Sequence, residues 1–287
     1  MSGPFRALYE LNLRPRPLPV DDGYFGPKSV AWVIHAAPSS FIGGMRALLM
    51  HALHPLVMAG ADQHGKFLSD PWTRLYRTLE YLLATVFGDR ATAEQAADRV
   101  RQAHYPVHGV EPVTGKAYSA NHQDLLRYVH ATGVDSYLTA YETYIRRLDP
   151  ADADRYVAER AGPVALVGLV DDVPKSVESL RAYLAEIESE LLLTPPTIGV
   201  RELVTRSPLP PPLSFAGGIP GAAAVVTLPP RYRDLFRFNW SDRHDRFARR
   251  LGRIFCRIAA LGGQPPYARA ARRSARKRAE TPDLTAA

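Results

Sequence analysis

Helical spacing of apolar residues dominates this chain and leaves little room for a fold built on sheets. Ser69-Asp70-Pro71 supplies a capping side chain and a proline, and Trp72, Leu75, Leu79, Leu82, Leu83 and Val86 then recur at helical intervals until Gly88 stops the run. Proline suits a first helical turn because the amide hydrogen it lacks has no partner there. A second helix is expected from near Thr92, with Gln95 three residues on as a capping box, through Ala96, Ala97, Val100 and Ala103 to His104. Pro106 should end it there, since its ring clashes with the carbonyl four residues back. Further helices are predicted over roughly 121–146, 150–170, 174–192 and 241–262, and another near 220–237. Strand alternation is scarce.

The most apolar stretch, Phe41 to Ala61, reads as a buried helix. Arg46, His51, His54 and Pro55 interrupt it well inside the about 20 residues a membrane span requires. The Pro-rich stretch 194–213 reads as a linker or a surface loop. The expected architecture is all-α, with one helical domain over 22–245, a Pro-rich N-terminal arm over 1–21, and a basic amphipathic helix and tail over 246–287.

With 287 residues, 46% of them hydrophobic, the chain can bury a sizeable core. Its single cysteine, Cys256, excludes an internal disulfide and any Cys-x-x-C site. The first twenty residues lack the uninterrupted apolar segment of a secretory signal, so a cytoplasmic chain is expected.

The net charge of +7 is unevenly spread: residues 231–278 hold fifteen Arg and Lys against three Asp. Any anionic partner therefore concerns that end alone. Within 241–262, Phe247, Leu251, Ile254, Phe255 and Ile258 form one stripe with Arg246, Arg249, Arg250, Arg253 and Arg257 around it. Such a stripe reads first as a core-facing surface with a solvated basic face. The other reading is a helix resting on an anionic membrane surface, peripheral to the inner face. The cluster from Arg269 to Arg278 lacks a recognition module and interleaved aromatics, so no specific nucleic acid is expected.

Several chemistries lose their local support. G-x-G-x-x-G, the P-loop, H-E-x-x-H and G-x-S-x-G are absent, and no Glu is followed three residues later by His, as a di-iron bundle would want. What remains is histidine: nine are present, seven of them between His35 and His122. One imidazole on a helix suffices as an axial haem ligand, although a single His on an apolar face more often donates to a carbonyl in the core. Arg74 and Thr78, four apart, share one face of the helix that starts at Pro71. An arginine facing apolar surroundings calls for a carboxylate or propionate, unless its stem merely lies along the core.

The run WTRLYRTLEYLLATVFGDRATAEQAADRVRQAH, with GGMRALLMHALHPLVMAGADQH before it and LLRYVHATGVDSYLTAYETY after it, resembles the catalytic domain of MpaB-type oxygenases and latex-clearing proteins (rubber oxygenases). The resemblance covers about residues 22–245. It is carried by R-x-x-x-T from Arg74 to Thr78, V-R-x-x-H from Val100 to His104, and V-H-A-x-x-V-D-S-x-L from Val129 to Leu138.

The resemblance implies an all-α fold enclosing a pocket for haem b, with dioxygen and a hydrophobic small-molecule or polymer substrate as partners. Carried over, His104 becomes the iron ligand, with His108 as the alternative, and Arg74 and Thr78 become residues beside the haem. Arg77 stands where rubber oxygenases carry a lysine that reaches the distal iron position, and a guanidinium cannot serve as that ligand. The glutamate those enzymes use as a base has no counterpart, since no Glu lies between Glu10 and Glu80. His51, His54, His64 and His130 are the polar groups available instead. A non-catalytic helical protein that binds a lipid or other hydrophobic ligand at a membrane surface is the alternative function.

Overall fold

The computed structural model describes residues 19–65, 71–206 and 214–280, and the side chains within them except those of 71–76 and 214–217. The fold is all-α. Its centre is the pair α2 (Ser39–Leu53) and α6 (Gln123–Tyr144), which pack along their lengths. Gly43 permits the close approach, because a Cβ there would come within 2.9 Å of the Tyr137 ring. Ile42, Leu49, Met50 and Leu53 from α2 meet Tyr128, Ala131, Leu138 and Tyr141 from α6 in the main core.

Around this pair stand α1 (Val30–Ala36), α3 (Pro55–Gly65), α4 (Pro71–Phe87), α5 (Arg90–His104), α7 (Pro150–Ala161), α8 (Val177–Glu186) and α9 (Pro195–Thr205). Toward the C-terminus follow α10 (Ser214–Val225), α11 (Pro230–Leu235), α12 (Asp242–Leu261) and α13 (Pro266–Glu280).

Proline and glycine decide most of the helix boundaries. The stretch read as one helix from Phe41 to Ala61 is two, bent by 101° at the break before Pro55. No single helix among the described residues is long and apolar enough to cross a membrane. The helix expected to start near Thr92 starts at Arg90, and its cap is Asp89, whose carboxylate accepts from the Thr92 amide at 2.9 Å and the Val20 amide at 3.1 Å.

The 150–170 prediction ends early, where Gly162 and Pro163 turn α7 into the 3-10 turn Pro163–Val167. The 174–192 prediction likewise closes in the 3-10 turn Ile187–Glu190. The predicted 220–237 helix is divided between α10 and α11 at Pro229-Pro230. The Pro-rich stretch opens as a helix rather than a loop, since Pro195 and Pro196 occupy the first turn of α9, where no amide hydrogen is needed; residues 207–213 lie outside the described residues. A small antiparallel hairpin, β1 (His108–Val110) with β2 (Ala117–Ser119), was not foreseen. Three residues per strand carry too little alternation to be read.

The C-terminal helices belong to the same core. On α12 the buried face is Ala248, Gly252 and Cys256, and a Cβ on Gly252 would lie 2.5 Å from the Tyr144 ring and 2.9 Å from Ala223. The apolar stripe expected to face the core therefore does not: Phe247 is 54% exposed, Ile254 39% and Ile258 63%, with Leu251 and Phe255 half-buried. Close packing selects small side chains, and the large ones are turned outward. On α13, Ala268 and Ala271 are buried, Arg278 donates to the Pro19 carbonyl at 2.8 Å and pairs with Asp22, and the end of the N-terminal arm is held against that helix.

Candidate functional site

The helix hairpin α4–α5, closed by Gly88-Asp89, places the two halves of the sequence motif at one end. The helices are antiparallel neighbours, so the start of α4, which carries Arg74 and Thr78, lies beside the end of α5, which carries His104. Helical spacing puts Arg74, Thr78, Tyr81 and Thr85 on a single stripe of α4. The Arg74 side chain is outside the described residues; Thr78 and Arg77 are exposed.

His104 is the last residue of α5 and is half-buried, with its Nδ1 buried. It shares a face with Ala97 and Val100, which pack with Tyr81 of α4 and Leu126 of α6. His108 is on β1 and exposed, and its carbonyl meets His64 Nε2 at 3.1 Å. Of the two candidate ligands, only His104 shares the α5 face that packs on α4.

A second group, not singled out from the sequence apart from His130, lies deeper between α1, α4, α6 and α7. His130 follows Leu126 by one turn of α6. Tyr81 and His130 both keep accessible surface, yet burial raises the Tyr81 phenol above its ordinary range and pushes the His130 imidazole down to about 3. Beside them Gly133 has open space where a side chain would stand. Both groups stay uncharged at neutral pH.

Arg160, whose charge is felt at both Tyr81 and His130, lies with His35, Tyr137 and Tyr156 in the core. The His35 and Tyr137 ring centres are 4.4 Å apart, and the Tyr156 hydroxyl is 3.2 Å from His35 Nε2. Burial, and then the Arg160 charge, holds His35 well below its ordinary value. Arg160 could have been found from spacing, since it shares the buried face of α7 with Ala153, Tyr156 and Val157, where a charge is out of place.

The remaining histidines of the apolar segment have packing contacts. His51 Nε2 lies 3.0 Å from the Val129 carbonyl, and His54 sits at the α2–α3 bend against the Tyr128 ring, 4.8 Å between centres. Among the described residues, no group of three or more His, Cys, Asp or Glu could hold a metal ion. Cys256 is buried and its thiol is pushed up to about 11 by burial, which suits a packing role. A separate cleft of about 630 Å³ opens between α3, the hairpin, α6 and α8, lined by His54, Tyr118, His122, Arg127 and Glu186 among others.

No curated protein and no solved structure matches the chain. A family model does, over residues 31–257: the catalytic domain described as ER-bound oxygenase mpaB/B'/rubber oxygenase. That span runs from α1 through most of α12 and includes Arg74, Thr78, Tyr81, His104, His130 and Arg160. The chain belongs to the family of mpaB and rubber oxygenase catalytic domains.

Proposed function

We propose that this protein is a haem b-dependent oxygenase acting on a hydrophobic substrate, with His104 as the iron ligand and Arg74 and Thr78 beside the haem. The observation that carries this reading is the antiparallel packing of α4 and α5, in which Ala97 and Val100, on the His104 face of α5, pack with Tyr81 of α4 and the end of α5 comes beside the start of α4. A single imidazole donor such as His104 suits this group, because a porphyrin supplies four further ligand atoms to the iron.

Bound haem supplies the activation of dioxygen, chemistry that these side chains lack. The protein's part is positioning. His104 would donate a ring-nitrogen lone pair to the iron from a helix terminus anchored by the Ala97 and Val100 face. Tyr81, kept protonated, and His130, kept neutral, offer one hydroxyl donor and one imidazole. Arg77 offers a guanidinium, which does not ligate a metal. The apolar surroundings suit an isoprenoid, fatty or polyketide-like chain.

Expression with haem supply should give a Soret band in wild type and His108→Ala that is lost in His104→Ala. A haem-free wild type overturns the reading, and loss only in His108→Ala moves the ligand to His108.

A second reading concerns location. We infer that α12 rests on an anionic membrane surface and brings the oxygenase to a lipid-dissolved substrate. Phe247, Ile254, Ile258 and Leu261 are exposed at spacings of seven, four and three, so they form one outward stripe, and Phe41 adds to it through Phe255, 6.4 Å away. Exposed Arg246, Arg250, Arg253 and Arg257 flank that stripe. Apolar insertion beside a row of cations matches anionic headgroups. Wild type should float with phosphatidylglycerol liposomes at low salt and stay behind with phosphatidylcholine, and Phe247→Ser with Ile258→Ser should abolish flotation. Flotation indifferent to both changes would refute it.

A further inference from the structure

Arg160 is only 9% exposed, its Nη1 is buried, and no hydrogen-bond partner meets that atom. No carboxylate among the described residues pairs with it. The neighbouring acids are engaged elsewhere. Glu159 accepts from the amides of Val30 and Ala31 at 3.3 and 2.8 Å, capping α1, and lies 3.6 Å from Arg155. Asp135 pairs with Arg46 at 2.8 Å.

What surrounds Arg160 is aromatic and uncharged. Its guanidinium lies 5.5 Å from the Phe25 ring centre, and its charge is felt at His35, Tyr81, His130, Tyr137 and Tyr156, imidazoles held neutral and phenols held protonated. A buried cation with no counter-charge is costly, whereas a cation that receives an anion in the same place is a binding group. The contrast with Arg46 is direct: that guanidinium is as buried, but it is bonded to Asp135, Ser136 and the Thr227 carbonyl.

We propose that Arg160 is the anchor for a ligand carboxylate, set among the aromatic and imidazole side chains of Phe25, Tyr81, Tyr137, Tyr156, His35 and His130. Two sources carry that chemistry: a haem propionate, which rests on the haem reading above, and the head of a fatty or other hydrophobic acid, which does not. In either case the aromatic side chains meet the apolar part and Arg160 reads the charge, so the ester or alcohol of the same skeleton is the poorer ligand.

The test compares the full-length wild type with Arg160→Gln and Arg160→Lys. One arm titrates haemin and haemin dimethyl ester into haem-free protein and follows the Soret band. The other titrates decanoate and decanol and follows the melting temperature. At least one free acid should be preferred over its uncharged partner by about tenfold or more, the effect of one charge-assisted hydrogen bond. Arg160→Gln should erase that preference, and Arg160→Lys should keep part of it.

Loss in the haemin arm identifies a propionate, and loss in the decanoate arm identifies a free acid. If neither form of haemin binds wild type, the haem reading fails while the decanoate arm still decides this one. Equal binding of acid and uncharged partner in both arms, or a preference unchanged in Arg160→Gln, overturns the proposal. Without ligand, Arg160→Gln should melt no lower than wild type, since it removes an unpaired charge; a lower melting point with acid preference intact would make Arg160 a structural residue.

Discussion

Arg46 Nη1 and Asp135 Oδ2 meet at 2.8 Å inside the α2–α6 pair, both side chains nearly inaccessible. The same guanidinium donates to Ser136 Oγ at 2.8 Å and, through Nε, to the Thr227 carbonyl at 3.1 Å, so one side chain ties α2, α6 and the end of α10. Removing one partner strands the other charge. Arg46→Ala and Asp135→Ala are each expected to cost about 3–5 kcal/mol, measured by urea denaturation. A joint Arg46→Met, Asp135→Leu replacement should cost less than the sum of the two; strict additivity would show that the charges do not depend on each other.

The α12 contact depends on a missing side chain. Gly252→Val should lose about 1–3 kcal/mol by overpacking against Tyr144 and Ala223. Phe247→Ser, on the exposed stripe of the same helix, should leave the melting temperature close to wild type. A larger loss at Phe247 than at Gly252 would mean that the helix is turned the other way.

Asp89 caps α5 and takes the Val20 amide, so Asp89→Ala should cost about 1 kcal/mol and loosen the arm. Burial alone would raise this carboxyl, but hydrogen bonds with Thr92 and Val20 outweigh it and hold it below the usual carboxylate value. A depressed carboxylate adds stability that is present above its unfolded value near about 4 and lost as pH falls through the folded one. Proteolysis of the arm, compared between wild type and Asp89→Ala at neutral pH, checks the contact; equal cleavage rates would refute it.

Acid should weaken the haem-free protein from another side. Burial holds His54 at about 4 and His35 well below its ordinary value, so the folded state refuses protons that the unfolded chain accepts. Stability is full above about pH 6.5 and falls as pH drops below it, by up to about 1.4 kcal/mol per pH unit for each such histidine. Urea midpoints at pH 7.5, 6 and 5 measure the slope, and His54→Gln should make it shallower. A midpoint constant over that range would contradict neutral burial.

The helices were legible because apolar spacing is local. From Leu75 to Val86, and from Ala96 to His104, each position announces its neighbours three and four residues away. The Arg74–Thr78 and Val100–His104 spacings were visible for the same reason, but the roles proposed for these residues came from the family resemblance and not from spacing. The Asp89 cap was missed because Thr92 and Gln95 offered an equally good local pattern, and only the arm's Val20 amide favours the aspartate.

The sequence by itself determined that this chain is helical, that it can form no internal disulfide, and where its positive charge lies, since composition and short-range spacing carry all three. Tertiary structure decided what each side chain faces. Arg46 and Arg160 are both arginines on the buried faces of helices, and nothing local distinguishes them. One meets a carboxylate 89 positions away and the other meets only aromatic rings, because pairing depends on which helices pack together. The outward stripe of α12 follows the same logic. Its hydrophobic period promised a core face, but helix contact is limited by distance, and the small face of Ala248, Gly252 and Cys256 could come closer to Tyr144 than Phe247 or Ile258 could.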